Sequence, residues 1–254
     1  MPFKDIKYKP PYIPHKDYED RVIAFIDILG FSNMVNQSGN DVKRLRYLTS
    51  AMDRFHNILW SWEADGCYSS FAFTQFSDSI VISAIADTPD SFEMLQQLLS
   101  GIMMLAEEYG ILVRGGITRG LLIHDDTLLV GPAMVEAYHM ESQCAIYPRI
   151  ILDNSLKKSF DDNIKHYIQN YTNIPNIPSQ DFIFKKDIDG WWYVDYVHPS
   201  DDYIALCRTI HNYCEYQSKL LDIVENGLKI TTPKVRTKYQ WLSEKLQNKV
   251  QDKL

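Results

Sequence analysis

The stretch RVIAFIDILGFSNM, residues 21–34, places one carboxylate inside an apolar run. Residues 22–29 are apolar except for Asp27, and the run stops at Gly30. A short continuous apolar run is typical of a strand buried on both faces. Burying an unpaired carboxylate is unfavourable unless something positive compensates it. The stretch therefore predicts a central strand whose Asp27 has a cationic partner.

The segments after this strand predict an α+β domain. Apolar residues at helical spacing predict a helix over about 41–62, and two strands follow in YSSFAFTQF (68–76) and SIVISAIA (79–86). A second helix is expected over 89–110, and a strand over 111–120. The order β-α-β-β-α-β predicts a ferredoxin-like, antiparallel-rich sheet with helices on one face.

The rest of the chain predicts further strands and a helical C-terminus. The expected elements are a hairpin over 121–131, a helix over 132–142, a strand over 149–153, an irregular connection over 161–180, a hairpin around Gly190, and helices over about 201–225 and from Pro233 onward. We expect an N-terminal arm (1–19), a core domain (20–198) and a C-terminal helical extension (199–254).

Composition excludes several classes of protein. The 254 residues carry a net charge of −7, which argues against a binder of duplex nucleic acid. No apolar run reaches membrane-spanning length, and the polar N-terminus lacks the apolar segment of a signal peptide, so we expect a cytoplasmic protein that does not enter a membrane. The four cysteines show no CxxC spacing, so neither a zinc site nor a disulfide framework is predicted.

Two aspartates lie at predicted strand ends. Asp27 is near the end of the first strand, and Asp78 lies in the tight turn between the next two. If these strands are neighbours, the two carboxylates converge and suit Mg²⁺ or Mn²⁺ together with phosphate oxygens. The alternative is that both are ordinary turn and capping residues, a common use of Asp.

Four segments carry a resemblance to a known family. They are FIDILGFS (25–32), FSDSIVIS (76–83), VRGGITRG (113–120) and VGPAMVEAYHMES (130–142). In this order they resemble the motifs of class III nucleotide cyclases, the catalytic domains of adenylate and guanylate cyclases. The resemblance covers roughly residues 20–152 and extends to the 182–196 hairpin, and it implies the class III cyclase fold for the core domain.

The resemblance implies a metal-dependent cyclisation. Asp27 and Asp78 match the family's metal ligands, and the Ile28 carbonyl is a further expected ligand for two ions, Mn²⁺ or Mg²⁺. Arg114 matches the arginine that binds the triphosphate. The implied reaction is attack of the ribose 3′-hydroxyl on the α-phosphorus with release of pyrophosphate.

The phosphates are expected to lie over one turn. Gly30 and Phe31 occupy the corresponding positions, where backbone N–H groups are available to anionic oxygens. Because each site in this family lies between two catalytic domains, a single domain implies a homodimer with sites at the subunit interface.

The base-reading positions depart from the family pattern. Thr74 and Leu128 replace the Lys and Asp with which adenylate cyclases read the purine, so altered specificity is expected. Val135 and His139 replace the transition-state Asn and Arg. This combination resembles the pyrimidine cyclases of bacterial Pycsar antiphage systems, which implies conversion of UTP or CTP to a cyclic monophosphate sensed by a separate effector protein.

Weaker candidates have structural alternatives. Gln75 is either a base-pocket residue or a solvent-facing one, and Arg119 is either a second phosphate ligand or a surface arginine. Five residues separate Arg119 from Arg114, so an unbroken strand points them to opposite faces. His139 is a substrate contact or a surface histidine. Arg149 is expected to be structural and to pair with Glu141.

Two other functions remain open on the sequence. A catalytically silent cyclase-fold module could bind a nucleotide or only dimerise, and a purine cyclase would keep the same chemistry. A polymerase or diguanylate cyclase relative is disfavoured because HDDT (124–127) is too short for a GGDEF-like hairpin and lacks its glycines.

Overall fold

A computed structural model describes residues 16–60, 70–171, 183–199 and 212–251. Its strands are β1 (Glu19–Ile28), β2 (Ala72–Phe76), β3 (Ser79–Ile85), β4 (Val113–His124), β5 (Leu129–Val130), β6 (Ile150–Leu152), β7 (Phe184–Lys186) and β8 (Trp192–Val194). Its helices are α1 (Phe31–Ser38), α2 (Val42–Trp60), α3 (Pro89–Tyr109), α4 (Pro132–His139), α5 (Asn154–Tyr171), α6 (Tyr213–Leu228) and α7 (Pro233–Gln251), with a π-helical turn over Met140–Cys144 directly after α4.

The strands form one sheet in which β1 is central. Their order is β2-β3-β1-β4-β6-β8-β7, with β5 paired to the end of β4. Among the described strands, β4 and β6 pair in parallel, and the other neighbours are antiparallel. The predicted α+β fold with an antiparallel-rich sheet is confirmed.

Both faces of β1 are covered, which explains its continuous apolar run. Val22, Ala24 and Ile26 belong to the large core beneath α2 and α3. Ile23 and Phe25 point to the other face, where they pack against α4. The expectation that helices cover one face only is therefore wrong, because alternate residues of β1 are apolar on both sides.

Two local predictions also need correction. The structure shows α1 directly after Gly30, where no helix was predicted. Residues 161–171 continue helix α5 instead of forming an irregular connection. The remaining residues of that predicted connection, 172–180, lie outside the described residues, as do residues 200–211 at the start of the expected helix over 201–225.

Strand β4 is continuous through its two adjacent glycines. Its register with β1 runs without interruption from Val113 to Leu122, so Gly115 and Gly116 introduce no bulge. A Cβ at Gly115 would lie 2.4 Å from the carbonyl oxygen of Phe25, and one at Gly116 would lie 2.5 Å from Cβ of Met140. Each glycine thus allows a close approach, one to β1 and one to the π-helical turn.

The C-terminal helices pack onto the same core. Tyr216, Leu220 and Val224 of α6, and Trp241 and Leu242 of α7, are buried members of the core beneath the sheet. Within the part of the chain that the structure describes, no helix is both long and apolar enough to cross a membrane.

Candidate functional site

Asp27 pairs with Arg114, which the resemblance assigns to the triphosphate, while the expected divalent cation at Asp27 stays a prediction. Asp27 lies opposite Arg114 in the β1–β4 register, and Arg114 Nε donates to Asp27 Oδ2 over 2.9 Å. The Asp27 side chain is 19% exposed, so the pair is partly accessible from outside. A carboxylate that remains accessible while paired can exchange its partner when another cation or a ligand arrives.

A buried glutamate shares the same arginine. Arg114 Nη2 is 2.6 Å from Oε1 of Glu141, which belongs to the π-helical turn and is 5% exposed. That oxygen accepts no hydrogen bond of good geometry from the described residues. Burial raises the pKa of Glu141, Arg114 opposes the rise, and the nearby negative charges of Asp27 and Asp78 add to it. Arg114 therefore leaves the acidic cluster incompletely compensated.

Asp78 lies beside Asp27, as the convergence of strand ends predicts. Its neighbour Ser79 is opposite Asp27 in the β1–β3 register, and the N–H of Ile28 donates to the Asp78 carbonyl oxygen over 3.1 Å. Ser77, at the preceding turn position, has φ of 57°, which explains why a glycine would be favourable there. No described group donates a hydrogen bond to the Asp78 carboxylate.

The turn after β1 presents backbone donors next to these carboxylates. Gly30 has φ of 78° and caps α1 through its backbone, while no side chain caps the helix N-terminus. A Cβ at Gly30 would meet nothing within 4 Å, so the space above the turn is open. The first N–H groups of α1, at Phe31 and Ser32, have no partner within the helix and favour an anion.

Lys238 approaches the cluster from the C-terminal helix. It is half-buried and lies on the face of α7 that carries Trp241, Leu242 and Lys245. Burial lowers the pKa of Lys238 and the charge of Arg114 lowers it further, while Asp27 and Glu141 oppose that change. Lys238 is thus a second cation near Asp27, from a part of the chain that the cyclase motifs do not cover.

Thr74 lies on the same face of the sheet as Asp27. It is opposite Val81, which is opposite Phe25, two residues along β1 from Asp27. Its Oγ1 is 3.0 Å from Nε2 of His124, a buried residue at the end of β4. Thr74 thus lies on the sheet face that carries Asp27, two strands away from β1.

The other two base-pocket candidates have different surroundings. Leu128 is 41% exposed in the β4–β5 turn, where its N–H donates to Asp125 Oδ1 over 3.1 Å. Gln75 is exposed, and strand alternation directs it to the face opposite Thr74. We retain Leu128 as a peripheral candidate and leave Gln75 out of the proposed site.

Arg119 points away from Arg114, as the odd separation on an unbroken strand requires. Its guanidinium binds the carboxylates of Asp20 at 2.7 Å and Asp87 at 2.6 Å. Asp20 and Asp87 raise its pKa further through hydrogen bonds. Since both partners are at the far end of β1, Arg119 has a structural role, and the phosphate-ligand alternative is not supported.

Helix α4 exposes the residues that replace the transition-state pair. Val135 is 54% exposed, and His139 is exposed at the end of the helix, with its ring 6.1 Å from that of Tyr138. Among the described residues, no hydrogen bond joins His139 to Asp27, Arg114 or Glu141.

Arg149 is structural, but its predicted partner was wrong. It is fully buried and donates to Asp187 and Asp189 in the β7–β8 turn, not to Glu141. Asp187 also accepts from Trp241 Nε1 at 2.7 Å and from Lys245 Nζ at 2.6 Å. This group, which we call the Arg149 cluster, attaches α7 to the sheet.

The donor set at Asp27 and Asp78 suits a hard divalent cation that also binds substrate. Among the described residues, no three His, Cys, Asp or Glu side chains together form a metal site. Two carboxylates and a backbone carbonyl are an incomplete set that Mg²⁺ or Mn²⁺ completes with phosphate oxygens and water. The residues present therefore suit Mg²⁺ or Mn²⁺ when a phosphorylated substrate supplies the remaining oxygen ligands.

Comparisons with known proteins give similarities to cyclase structures at low identity. No protein-family model matches the chain, and no curated protein matches it significantly. A guanylyl cyclase domain from the rhodopsin–guanylyl cyclase fusion protein of the aquatic fungus Blastocladiella emersonii is 17% identical, with 70% of this chain and 96% of that domain covered and a TM-score of 0.46.

Two further solved structures are adenylate cyclases or related to them. Adenylate cyclase from Trypanosoma brucei in its monomeric state is 15% identical, with 60% of this chain and 80% of that chain covered and a TM-score of 0.43. An adenylate/guanylate cyclase/hydrolase from Silicibacter pomeroyi is 13% identical, with 70% and 98% covered and a TM-score of 0.36. At this level of similarity we base the functional proposal on the residues of the site.

Proposed function

We propose that this protein is a metal-dependent nucleotidyl cyclase that acts on a pyrimidine ribonucleoside triphosphate. The observation that carries the proposal is the meeting of Asp27, Asp78 and Arg114 at one end of the sheet face, beside an open glycine turn. Sequence motifs predict this group as a unit, and the geometry supports its use as a phosphate and cation site.

The residues of the site divide the tasks of binding. Asp27, Asp78 and the Ile28 carbonyl would hold two Mg²⁺ or Mn²⁺ ions, which supply charge neutralisation and activation of the ribose 3′-hydroxyl when bound. Arg114, held between Asp27 and Glu141, and Lys238 would donate to phosphate oxygens. The N–H groups of Phe31 and Ser32 would donate to the same triphosphate.

Glu141 would position Arg114 on the side away from the substrate. Its carboxylate contacts Nη2 while Asp27 contacts Nε, so the guanidinium is held from two sides. Fixing both donors before substrate arrives lowers the reorganisation needed in the transition state.

A homodimer would complete each site. Phe76, Val135 and Tyr138 are exposed apolar residues on the side of the sheet that carries Asp27. Burying such residues against a second subunit is favourable, and it would bring α4 with Val135 and His139 of one subunit toward the site of the other. That arrangement would let His139 contact a substrate bound at the site of the other subunit.

The pyrimidine substrate follows from the base-reading positions. Thr74 and Leu128 provide neither the Lys nor the Asp that adenylate cyclases use, so a purine would lose its usual contacts. We propose UTP or CTP as substrate, a cyclic monophosphate as a second messenger in antiphage defence, and a separate effector protein that senses it.

The test is product formation from four nucleotides. Purified protein is incubated with ATP, GTP, UTP and CTP in separate reactions with Mn²⁺, and products are identified by mass. A cyclic monophosphate from UTP or CTP supports the proposal, and a purine product alone would redirect it to a purine cyclase. A folded dimer that makes no cyclic product from any of the four would support the silent-module alternative instead.

A further inference from the structure

Three buried side chains and the partly exposed Thr74 form a hydrogen-bonded chain on the face of the sheet that carries Asp27. Arg21 Nε donates to Ser83 Oγ over 2.9 Å, Ser83 Oγ is 2.9 Å from His124 Nδ1, and His124 Nε2 is 3.0 Å from Thr74 Oγ1. Arg21, Ser83 and His124 are 3%, 0% and 6% exposed, so water does not compete for these groups. Thr74, at the outer end, is partly exposed.

Arg21 fixes which atoms donate and which accept in this series of hydrogen bonds. An arginine guanidinium only donates hydrogen bonds, so the Ser83 oxygen must accept from Arg21. Ser83 still has one hydroxyl hydrogen to place, and His124 Nδ1 is its acceptor among the described residues. Ser83 therefore donates to Nδ1.

The direction continues through the imidazole. Burial lowers the pKa of His124 to about 4, and the charge of Arg21 contributes, so the ring is neutral near pH 7. A neutral imidazole that accepts at Nδ1 carries its hydrogen on Nε2. Nε2 then donates to Thr74 Oγ1, which leaves the Thr74 hydroxyl hydrogen free to point toward the face that carries Asp27.

The reverse direction leaves a buried donor unsatisfied. With the hydrogen on Nδ1, Ser83 would accept from both Arg21 and His124, and its own hydrogen would have no acceptor among the described residues. Ser83 is fully buried, so an unmade hydrogen bond there is costly. The hydrogen-bond inventory therefore favours the direction that ends in a donor at Thr74.

We propose that Thr74, held as a hydrogen-bond donor by His124, Ser83 and Arg21, selects a uracil base over a cytosine base. This inference rests on the proposed function and deepens it. The two bases differ at C4, where uracil has a carbonyl acceptor and cytosine has an amine donor. Because Oγ1 accepts from His124 with one lone pair, a C4 carbonyl pairs with the Thr74 hydroxyl hydrogen, whereas a C4 amine could use only the second lone pair and would leave that hydrogen without an acceptor. UTP is therefore the preferred substrate over CTP.

The position of Thr74 agrees with a base contact. Two strand spacings across the sheet and two residues along it separate Thr74 from Asp27, which corresponds to a Cα distance of roughly 12 Å. A nucleoside triphosphate spans a comparable distance between its base edge and its phosphates. Thr74 would thus contact the base while Asp27 remains at the phosphates.

The experiment measures base choice under competition. The full-length protein receives UTP and CTP at equal concentration with Mn²⁺, and the ratio of cyclic UMP to cyclic CMP is determined by mass. We expect cyclic UMP to exceed cyclic CMP roughly 10- to 100-fold. Thr74→Val, which keeps the shape and removes the hydroxyl, should bring the ratio close to one, and Thr74→Ser should retain the preference.

A matched control and an independent readout separate this role from general damage. Thr49→Val makes the same chemical change on the exposed side of α2 and should leave the ratio unchanged. Nitrogen NMR of ¹⁵N-histidine-labelled protein at pH 7 should show the Nε2–H tautomer for the resonance that disappears in His124→Gln.

The outcomes distinguish the inference from the function on which it rests. A preference for CTP, an unchanged ratio in Thr74→Val or an Nδ1–H tautomer would overturn the inference while a cyclic pyrimidine product still supports the proposed function. The absence of any cyclic pyrimidine product would overturn both.

Discussion

The molecule contains two arginine–carboxylate clusters that differ in how completely they are compensated. In the Arg149 cluster, the arginine is fully buried and the Asp187 carboxylate also accepts hydrogen bonds from Trp241 and Lys245. In the cluster at Arg114, the arginine is 24% exposed and a buried oxygen of Glu141 has only an ion pair of poor hydrogen-bond geometry.

The pKa values of the two clusters move in opposite directions. Burial favours a raised pKa for both Glu141 and Asp187, but hydrogen bonds from Lys245 and Trp241 bring the pKa of Asp187 below its usual range. Glu141 lacks such donors, and its pKa stays raised. The difference teaches that the Asp187 carboxylate is fully paired without a ligand, although Arg149 Nε has no hydrogen-bond partner among the described residues, whereas the carboxylates around Arg114 are arranged to receive more positive charge.

The largest expected effect is on catalysis at Asp27. Asp27→Asn should lower cyclase activity by roughly 1,000-fold, because it removes a charge from the proposed metal site and weakens the hold on Arg114. Steady-state kinetics with UTP and Mn²⁺ measures the loss, and circular dichroism checks that the fold is retained. Activity close to that of the unaltered protein would remove Asp27 from the metal site.

The matching change in the other cluster should affect stability. Asp187→Asn leaves Lys245 without its charged partner and Arg149 with only the partly exposed Asp189, which should lower the free energy of unfolding by about 3–5 kcal/mol. Urea denaturation measures this change. A variant as stable as the parent protein would show that the Arg149 cluster does not hold α7 in place.

Two lysines of α7 allow the comparison to be made on a single helix. Lys238→Met should lower kcat/KM for the nucleotide roughly 10- to 100-fold by removing a charged contact, with little change in unfolding. Lys245→Met should instead lower the free energy of unfolding by about 1–3 kcal/mol. Arg236→Met, an exposed position on the same helix, is the control that removes the same charge. An equal loss of kcat/KM in Arg236→Met and Lys238→Met would mean that the rate depends on the net charge of the protein and not on a contact made by Lys238.

The smallest expected effect is a pH dependence of stability. The folded-state pKa of Glu141 is raised above the ordinary 4.5, so its contribution to stability is complete below that pH and is lost as the pH rises through the folded-state pKa. Glu141→Gln removes this loss. The free energy of unfolding of the variant, relative to that of the parent protein, should therefore increase as the pH rises from about 4.5. Denaturation curves between pH 4 and pH 8 provide the measurement. A difference that does not vary with pH would place the Glu141 carboxyl pKa at its ordinary value.

The sequence predicted most of the fold because its patterns were local. The apolar run at β1, the turn at Asp78 and the glycine after α3 each define an element from its own residues. Helix α1 and residues 161–171 were missed because asparagine and other polar residues there compete with helix formation. In α1, packing of Phe31 and Met34 against the core overrides that preference.

The site could be predicted as far as its strand residues. Asp27 and Arg114 are paired across β1 and β4, and Asp78 lies in the turn directly before β3, the other neighbour of β1. Glu141 required the π-helical turn after α4, and Lys238 required the docking of a helix more than one hundred residues away in the chain. Neither placement is encoded in a short motif, although the Glu-Ser ending of the fourth cyclase-like segment was a signal for Glu141.

The docking of α7 has a consequence for how the chain tolerates changes of length. Lys238 and Trp241 are one helical turn apart, and Trp241 is fixed against Tyr147 with parallel rings 5.7 Å apart. Deleting one residue between them would rotate Lys238 by about 100° around the helix axis while Trp241 stays docked. Substitutions at outward positions such as Arg236 leave that angle unchanged. Natural variation in this helix should therefore accumulate as substitutions, while insertions and deletions between residues 238 and 241 are selected against.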